Sequence, residues 1–401
     1  MRIGVFLEGS PEAGGSFQIQ MAILEGLRRT APGGAHEYVV FAPSSALPSV
    51  DGDGEGMQLV PLERPSLFRR AGQRFLRSFR GAPVSLRRRV ITQAEELIAA
   101  HRLDLVYYPS PNIFCLDHDT PYVLTVYDLQ HRAQPEFPEV SSRSKWASRE
   151  RLYEEAIPRA FATVVATSAL KDDVVRFYGV REERVRVLPY VPGPSAGFPG
   201  GAEPSVREKY GLPSGFLLYP ARFWPHKNHA GLLHALRILR DQHGVSFPLV
   251  LVGTDKGNLP YLRRLMEEFG LEKQVFVLGF VPDADLAALY RQAFALVMPS
   301  FFGPTNLPPL EAFALGCPVV TSDIPGAREH FGDAAVLVNP RDPADIARGI
   351  RLLHEDPALR REMIRRGRDV IARWGAAEYA QALVEIFESF APIRRCWAEL
   401  Q

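Results

Sequence analysis

Two cationic side chains lie close together in the segment FLLYPARFWPHKNHAGLLHAL, residues 216–236. Arg222 follows a short apolar run that predicts a strand, and Lys227 precedes a run that predicts a helix. The exposed N–H groups and the dipole at a helix N-terminus favour an anion. Arginine adds a planar fork of donors and lysine a point charge, so the pair suits a diphosphate. Ordinary surface charge is the alternative.

Two further junctions between a strand and a helix follow along the chain. Gly279 and Phe280 end the run VFVLGF, where backbone groups can hold the edge of a base. The stretch FFGPTNLPPLEAFALG, residues 301–316, then brings a proline-rich loop to an apolar helix whose single acid is Glu311. Three such junctions in one half of the chain predict a single ligand site at the carboxyl edge of a sheet.

Gly14 and Gly15 precede the helix-like run FQIQMAILEGLRR in the first half. Glycines before a helix let a phosphate or a sugar approach backbone N–H groups, although a plain tight turn is the alternative. Neither half contains the Gly-x-Gly-x-x-Gly pattern or a Walker A sequence, which argues against a dinucleotide dehydrogenase and a P-loop enzyme.

Metal chemistry has weak support. Three Asp-x-Asp triplets lie in contexts typical of loops and helix starts, with Asp283 expected to cap a helix; they are Asp51/Asp53, Asp117/Asp119 and Asp283/Asp285. His226 and His229 have metal-like spacing but no nearby third ligand, so a role at the helix entrance is favoured. We therefore expect no metal site.

These residues must be positioned by alternating strands and helices. Short apolar runs alternate with helical patterns in both halves, which predicts parallel sheets covered on both faces. Residues 189–205, PYVPGPSAGFPGGAEPS, read as a linker. The fold class is therefore α/β, with two doubly wound, Rossmann-like domains facing across a cleft. We expect an N-terminal domain over 1–190, a linker over 191–204, a C-terminal domain over 205–375 and a final helix over 376–401.

Composition supports a soluble enzyme. The chain has 401 residues and a net charge of +1, which gives no reason to expect a nucleic-acid partner. Its three cysteines are widely spaced, which favours a reducing compartment.

Residues 62–90 nevertheless hold nine arginines and one acid, Glu63. This Arg-rich segment can lie on an anionic membrane or grip an anionic acceptor. A solvated helix whose arginine stems cover apolar surface is the alternative.

Over nearly the whole chain the sequence resembles retaining glycosyltransferases of family 4, which have the two-domain GT-B fold. The resemblance is carried by YPARFWPHKNHAGLLHAL, VFVLGFVPDADLAALYRQAFALVMPS, PLEAFALGCPVVTSD and GDAAVLVNPRDPADIA, and in the first half by GGSFQIQMAILEGL and VLTVYDLQH.

The resemblance implies that a nucleotide-diphosphate sugar binds the C-terminal domain and an acceptor binds the N-terminal domain. Arg222 and Lys227 would hold the phosphates, Glu311 the ribose hydroxyls, and Phe280 would line the base pocket. Backbone N–H groups around Asn306, Leu307 and Leu310 would face the sugar and the phosphates. The final helix would cross back onto the first domain. No cofactor beyond the co-substrate is implied.

Two departures from the family pattern concern the transferring sugar. The family usually has a glutamate eight positions before Glu311, where this chain has Gly303, and a His-Asp pair where it has Tyr127-Asp128. Candidates to hold the sugar or act in catalysis are Tyr127, Asp128, His131, Thr305 and Asn306. We interpret the chain as a divergent, active subgroup.

The function expected is therefore metal-independent hexosyl transfer with retention, in polysaccharide, lipopolysaccharide or glycolipid assembly. The acceptor would be a saccharide or a lipid-linked molecule. The location would be cytoplasmic, with peripheral contact at the inner face of the membrane through the Arg-rich segment. A nucleotide-sugar epimerase, a glycoside hydrolase and a non-catalytic nucleotide-sugar-binding protein are the alternatives.

Overall fold

The computed structural model describes residues 1–9, 14–31, 33–46, 56–62, 92–142, 144–193, 197, 206–303 and 306–397. It contains two parallel sheets, one of seven strands and one of six, each flanked by helices. This confirms the predicted class of two doubly wound α/β domains. The apolar strands are buried on both faces, as their continuous apolar runs predict.

The first sheet has the strand order β3-β2-β1-β4-β5-β6-β7. Its strands are β1 (Arg2–Phe6), β2 (Glu37–Pro43), β3 (Met57–Leu62), β4 (Leu105–Tyr108), β5 (Tyr122–Thr125), β6 (Ala162–Val165) and β7 (Val185–Val187). The helices of this half are α1 (Gly15–Thr30), α2 (Gln93–Ala100), α3 (Gln130–Ala133), α4 (Pro138–Ser141), α5 (Lys145–Arg159) and α6 (Ser168–Tyr178).

The second sheet has the strand order β10-β9-β8-β11-β12-β13. Its strands are β8 (Leu217–Pro220), β9 (Leu249–Val252), β10 (Val275–Gly279), β11 (Ala295–Met298), β12 (Val319–Ser322) and β13 (Ala335–Val338). The helices are α7 (Val206–Tyr210), α8 (His229–His243), α9 (Leu259–Glu268), α10 (Asp283–Gln292), α11 (Leu307–Leu315), α12 (Ala327–Phe331), α13 (Pro343–Glu355), α14 (Pro357–Arg373) and α15 (Ala376–Arg394). Short 3₁₀ turns occupy Ile113–Leu116, Glu182–Arg184, Pro225–Lys227 and Gly332–Ala334.

Each sheet has one point where the chain order reverses direction. In the first sheet it lies between β1 and β4, and in the second between β8 and β11. Ligands of open α/β sheets bind at such a switch point, outside the carboxyl ends of the strands. The segments that follow these four strands therefore define where a ligand is expected.

The last helix, α15, packs against the first domain. A Cβ placed on Gly26 of α1 would lie 2.4 Å from the carbonyl oxygen of Ala376, so only glycine permits this close approach. Arg394 near the other end of α15 forms an ion pair with Asp104, with 2.7 Å between Nε and Oδ1. No helix in the described part of the chain is both long and apolar enough to cross a membrane.

Candidate active site

Arg222 and Gly14 meet across the cleft between the domains. Arg222 follows β8, the switch-point strand of the second sheet, and Gly14 precedes α1 of the first domain. A Cβ placed on Gly14 would lie 3.0 Å from Arg222 Nη2, and Gly14 has a positive φ of 72°. A glycine is needed here for both its backbone conformation and its small size. The guanidinium therefore lies directly beside the Gly14-Gly15 turn.

Lys227 ends the 3₁₀ turn after β8 and reaches the loop that follows β11. Its Nζ donates a hydrogen bond to Asn306 Oδ1 at 2.7 Å. Burial lowers the pKa of Lys227 to about 8, although the carboxylates of Glu139 and Asp128 act in the opposite direction. An anion that binds beside this buried ammonium would stabilise its charged form and raise its pKa.

The N-terminus of α11 completes this group. Asn306 is its N-cap, yet the Asn306 side chain makes no capping bond because it binds Lys227. Pro308 and Pro309 lack N–H groups, so in the first turn only Asn306 and Leu307 carry backbone N–H groups without a partner inside the helix. Leu310 is the fourth helical residue, and in a regular helix its N–H bonds within the helix. The predicted set of three backbone donors therefore narrows to Asn306 and Leu307.

Glu311 is buried at the domain boundary, with 2% of its surface exposed. Tyr290 Oη donates a hydrogen bond to Glu311 Oε2 at 2.8 Å. The other oxygen, Oε1, lies 2.6 Å from where a Cβ on Gly193 would be, so Gly193, near the start of the linker, lies directly beside the carboxylate. Gln18 of α1 lies beside the same point, at 3.3 Å. The carboxylate is thus held in one orientation between the two domains.

Phe280 presents an exposed aromatic ring at the carboxyl end of β10. Its exposed fraction is 75%, the highest among the exposed large apolar side chains of the described residues. It follows Gly279, whose φ is +70° and whose carbonyl accepts a hydrogen bond from Gly253 N at 2.8 Å. A solvent-facing ring on a fixed turn is suited to stacking against a planar base.

Two family models match the sequence. "Glycosyltransferase Family 4" matches residues 21–190, and "Glycosyl transferases group 1" matches residues 204–370. Together they cover most of the chain, and their boundary falls at the linker. The chain belongs to the family 4-like glycosyltransferases of the GT-B fold.

Relatives of this glycosyltransferase include "O-antigen chain mannosyltransferase B" of Escherichia coli, 28% identical over 272 residues, covering 66% of this chain and 69% of the relative. "Serotype-specific mannosyltransferase WbdA" of Escherichia coli is 31% identical over 234 residues, covering 57% of this chain but only 29% of the relative. A solved structure of Anabaena Alr3699/HepE in complex with UDP has a TM-score of 0.68 and 19% identity, covering 97% of this chain and 99% of that one. This likeness confirms the GT-B fold.

The loop of the glycosyltransferase at Gly303 explains why no side chain stands there. Gly303 has a φ of +82°, in the left-handed region that favours glycine. A Cβ at this position would lie 2.8 Å from Asn306 Nδ2, and the same amide donates to the Gly303 carbonyl. The Asn306 side chain therefore occupies the space that a residue at 303 would need.

The three predicted catalytic residues of the first domain have different surroundings. Tyr127 Oη donates to the Pro109 carbonyl at 2.9 Å, and Asp128 Oδ1 pairs with Arg149 Nη2 at 2.5 Å. Both lie half-buried at the carboxyl end of β5. His131 has no exposed surface; its Nε2 lies 3.0 Å from Glu150 Oε2, and burial lowers its pKa. Tyr127 and Asp128 are thus placed near the cleft, whereas His131 is not.

Several contacts hold the two domains together beside the site, and three of them illustrate how. The backbone N–H of His226 donates to Glu139 Oε1 at 2.8 Å, and Gln134 Nε2 donates to the Phe301 carbonyl at 3.1 Å. Lys145 lies over the ring of Trp224, 5.2 Å from its centre. The α3–α4 region of the first domain is therefore docked on the loops after β8 and β11.

The aspartates and histidines considered as metal ligands lie in separate structural contexts. The cap of α10 is Pro282, with Asp283 as the first helical residue, so the predicted capping role of Asp283 was wrong. Asp119 pairs with Arg159 and Asp285 with Lys209 and Tyr210. His229 is buried against Tyr219 at the start of α8. In the described ranges no three potential ligands cluster as a metal site would require. Thr305, Asp51, Asp53 and residues 63–90 lie outside the described residues.

Sequence reasoning did not identify Glu8, which follows β1 at the switch point of the first sheet. Burial raises the pKa of this carboxyl to about 7, although a hydrogen bond from Ser110 acts to lower it. The stretch FLEGS contains no motif that would single it out. Its position at the switch point becomes visible only in the structure, where β1 lies next to β4 and Ser110 lies beside Glu8.

Proposed function

We propose that this protein transfers a hexosyl group from a nucleoside-diphosphate sugar to a hydroxyl of an acceptor, with retention of anomeric configuration and without a required metal ion. The acceptor is a saccharide or a lipid-linked saccharide. The proposal places the donor on the second domain and the acceptor on the first.

One observation carries the proposal. Arg222, Lys227 and the start of α11 converge at the β8–β11 switch point, where they present two cationic side chains and unpaired N–H groups. A diphosphate carries the charge and the oxygen acceptors that these groups match. Glu311 lies on the same helix, α11, where Tyr290 bonds to it and its carboxylate can accept hydrogen bonds from ribose hydroxyls. Phe280 offers a stacking surface for the base.

The same groups give the mechanism. As the bond between the sugar and the diphosphate breaks, negative charge grows on the leaving phosphate, and Arg222, Lys227 and the α11 N-terminus stabilise it. The acceptor hydroxyl attacks the same face of the sugar and gives its proton to the departing phosphate oxygen, so the protein mainly positions the two substrates. Gly193 beside Glu311 and the contact between Glu139 and His226 bring the two domains together at the site, and closure of the cleft around the substrates would limit hydrolysis of the donor.

The names of the relatives favour a setting in surface polysaccharide assembly. One relative is by name an O-antigen chain mannosyltransferase and the other a serotype-specific mannosyltransferase, and the solved structure contains UDP. We therefore propose an acceptor on a growing polysaccharide or lipopolysaccharide chain at the cytoplasmic side of a membrane. The nine arginines of residues 62–90 supply positive charge for a peripheral contact with anionic lipids.

The test is a transfer assay with a panel of UDP-, GDP- and ADP-sugars and mannose- or glucose-terminated acceptors, with and without EDTA. The proposal expects one donor to give a disaccharide linkage of the same anomeric configuration, read by NMR, and full activity in EDTA. Donor binding without transfer to any acceptor would instead support a non-catalytic binding protein. Turnover of donor without acceptor to an isomeric nucleotide sugar would support an epimerase.

A further inference from the structure

The switch point of the first sheet carries a polar group that the donor site does not use. Glu8 follows β1 and Ser110 follows β4, the two strands between which the chain order reverses. Ser110 Oγ donates to Glu8 Oε2 at 3.5 Å, and Ser110 itself is buried with 2% of its surface exposed. This is the position at which an open α/β sheet binds its ligand.

The backbone of Glu8 is held rigidly. Its N–H donates to Gln20 Oε1 at 2.8 Å, and its carbonyl accepts from Gln20 Nε2 at 3.1 Å. Gln20 is itself buried, with 1% of its surface exposed, and its Nε2 also donates to the Ser16 carbonyl. A glutamate fixed in this way by a buried amide is placed with the precision that a binding residue needs.

The same amide ties Glu8 to the turn that meets the donor site. Ser16 belongs to the first turn of α1, and its hydroxyl lies 3.5 Å from Tyr127 Oη. Gly14 lies just before this turn, against the Arg222 guanidinium. Glu8 is therefore linked, through Gln20 and the first turn of α1, to the segment that meets Arg222.

The carboxylate has capacity left for a ligand. Glu8 is half-buried, not sealed. Ser110 occupies Oε2, and within the described ranges no side chain or backbone group bonds to Oε1. An ionised carboxylate only accepts hydrogen bonds, so its natural ligand is a donor such as a hydroxyl. No cation of the described residues pairs with it, whereas Asp128 and Glu150 each pair with an arginine.

We propose that Glu8 is the acceptor-binding residue of the first domain, where its carboxylate accepts hydrogen bonds from the hydroxyls of a carbohydrate held at the β1–β4 switch point. This rests on the proposed function, because it identifies the acceptor side of the same cleft. It also assigns the acceptor a chemical class: a polyhydroxylated sugar ring, not an apolar alcohol.

The titratable groups that interact electrostatically with Glu8 are the phenols of Tyr108 on β4 and Tyr127 after β5. Burial raises the pKa of both phenols, so both are neutral at physiological pH. Of these three described groups, only Glu8, whose pKa is about 7, therefore changes charge near neutral pH. Carbohydrate affinity should weaken as pH falls through that value, because the protonated carboxyl loses acceptor capacity.

The experiment is calorimetric titration of methyl glycosides of mannose, glucose, galactose and N-acetylglucosamine into the full-length protein saturated with a nucleoside diphosphate. We expect at least one glycoside to bind the wild type, and Glu8→Gln to weaken that binding roughly tenfold or more, since a hydrogen bond to a charged group is lost. Glu37→Gln, at the amino end of β2 on the same sheet, is the matched control and should bind normally.

Two readouts separate binding from folding. Glu8→Gln should keep the wild-type Tm and nucleoside-diphosphate affinity, and its glycoside affinity should no longer depend on pH near 7. Ser110→Ala removes a bond that lowers the Glu8 pKa, so its pH profile should move to higher pH. The proposal is overturned if the wild type binds none of the glycosides, or if Glu8→Gln binds them unchanged. Failure of the proposed function would show differently, as absence of nucleoside-diphosphate binding in the wild type.

Discussion

The amide of Asn306 occupies the space beside Gly303 in which a side chain would begin. A Cβ on Gly303 would meet Asn306 Nδ2 at 2.8 Å, and Asn306 Oδ1 holds the ammonium of Lys227 at 2.7 Å. The carboxylate that the family resemblance places at 303 and the asparagine that this chain has at 306 therefore compete for one volume. We infer that Asn306 fixes the conformation of this loop in place of the usual glutamate, because its side chain bonds to Lys227.

Restoring the family residue with Gly303→Glu should therefore impair this protein. The positive φ should cost about 1–2 kcal/mol in the free energy of unfolding, and the displaced Asn306 should release Lys227 and raise the KM for the donor. Gly215→Ala is the matched control, because Gly215 has a φ of +70° with no atom near its Cβ position. It should lose stability without changing the KM. Higher activity of Gly303→Glu at an unchanged Tm would contradict this interpretation.

The lowered pKa of Lys227 predicts a pH dependence of donor binding. The free protein has a Lys227 pKa of about 8, and a bound diphosphate raises it, so binding takes up a proton between the two values. Donor affinity should be greatest below pH 8 and fall as pH rises above it. Calorimetry at pH 8.5 in two buffers of different ionisation enthalpy measures the uptake. Lys227→Gln should show none, and equal uptake by that variant would exclude Lys227 as the source.

Glu311→Gln should remove the preference of the protein for a ribonucleotide over a 2′-deoxyribonucleotide. If the carboxylate accepts hydrogen bonds from ribose hydroxyls, its loss should weaken binding of the ribonucleoside diphosphate roughly tenfold and leave the 2′-deoxy analogue nearly unaffected. Tyr290→Phe is the matched variant, because it removes only the hydroxyl that donates to Glu311 Oε2. It should give a smaller loss of the same kind. Equal weakening of both nucleotides by Glu311→Gln would point to a structural role.

His131→Leu should affect stability more than chemistry. His131 is fully buried and bonds to Glu150, which also pairs with Arg132. We expect the free energy of unfolding to fall by about 1–3 kcal/mol, because the buried Glu150 loses one partner. The turnover number of the folded enzyme and the donor KM should stay close to the wild type. A large loss of turnover at an unchanged Tm would restore His131 as a catalytic candidate.

The fold was predictable because its signals are local. Short, β-branched apolar runs such as FPLVLVG and CPVVTSD favour buried strands, and the helices between them favour parallel order. The convergence of the proposed donor-binding residues was predictable for a similar reason. Arg222, Lys227, Phe280 and Glu311 each follow a strand within the same half, and the ends of parallel strands meet at one edge.

The proposed acceptor position was harder to predict because its contacts depend on residues far apart in the chain. Glu8 and Ser110 are 102 positions apart, and only the adjacency of β1 and β4 brings them together. Why position 303 holds a glycine could not be predicted either, because the reason depends on a backbone angle and on the orientation of the Asn306 side chain. His131 shares a segment with Tyr127 and Asp128, but whether its side chain turns toward the cleft or the core is decided by Glu150 on α5.

The central claim is that Arg222 and Lys227 bind a donor diphosphate, and calorimetric titration of UDP, GDP and ADP tests it most directly. The wild type should bind at least one of them, while Arg222→Ala and Lys227→Ala should keep the wild-type Tm and weaken that binding roughly tenfold or more. Arg263→Ala, on the exposed face of α9, should bind like the wild type. Wild-type affinity in both cleft variants would contradict the account.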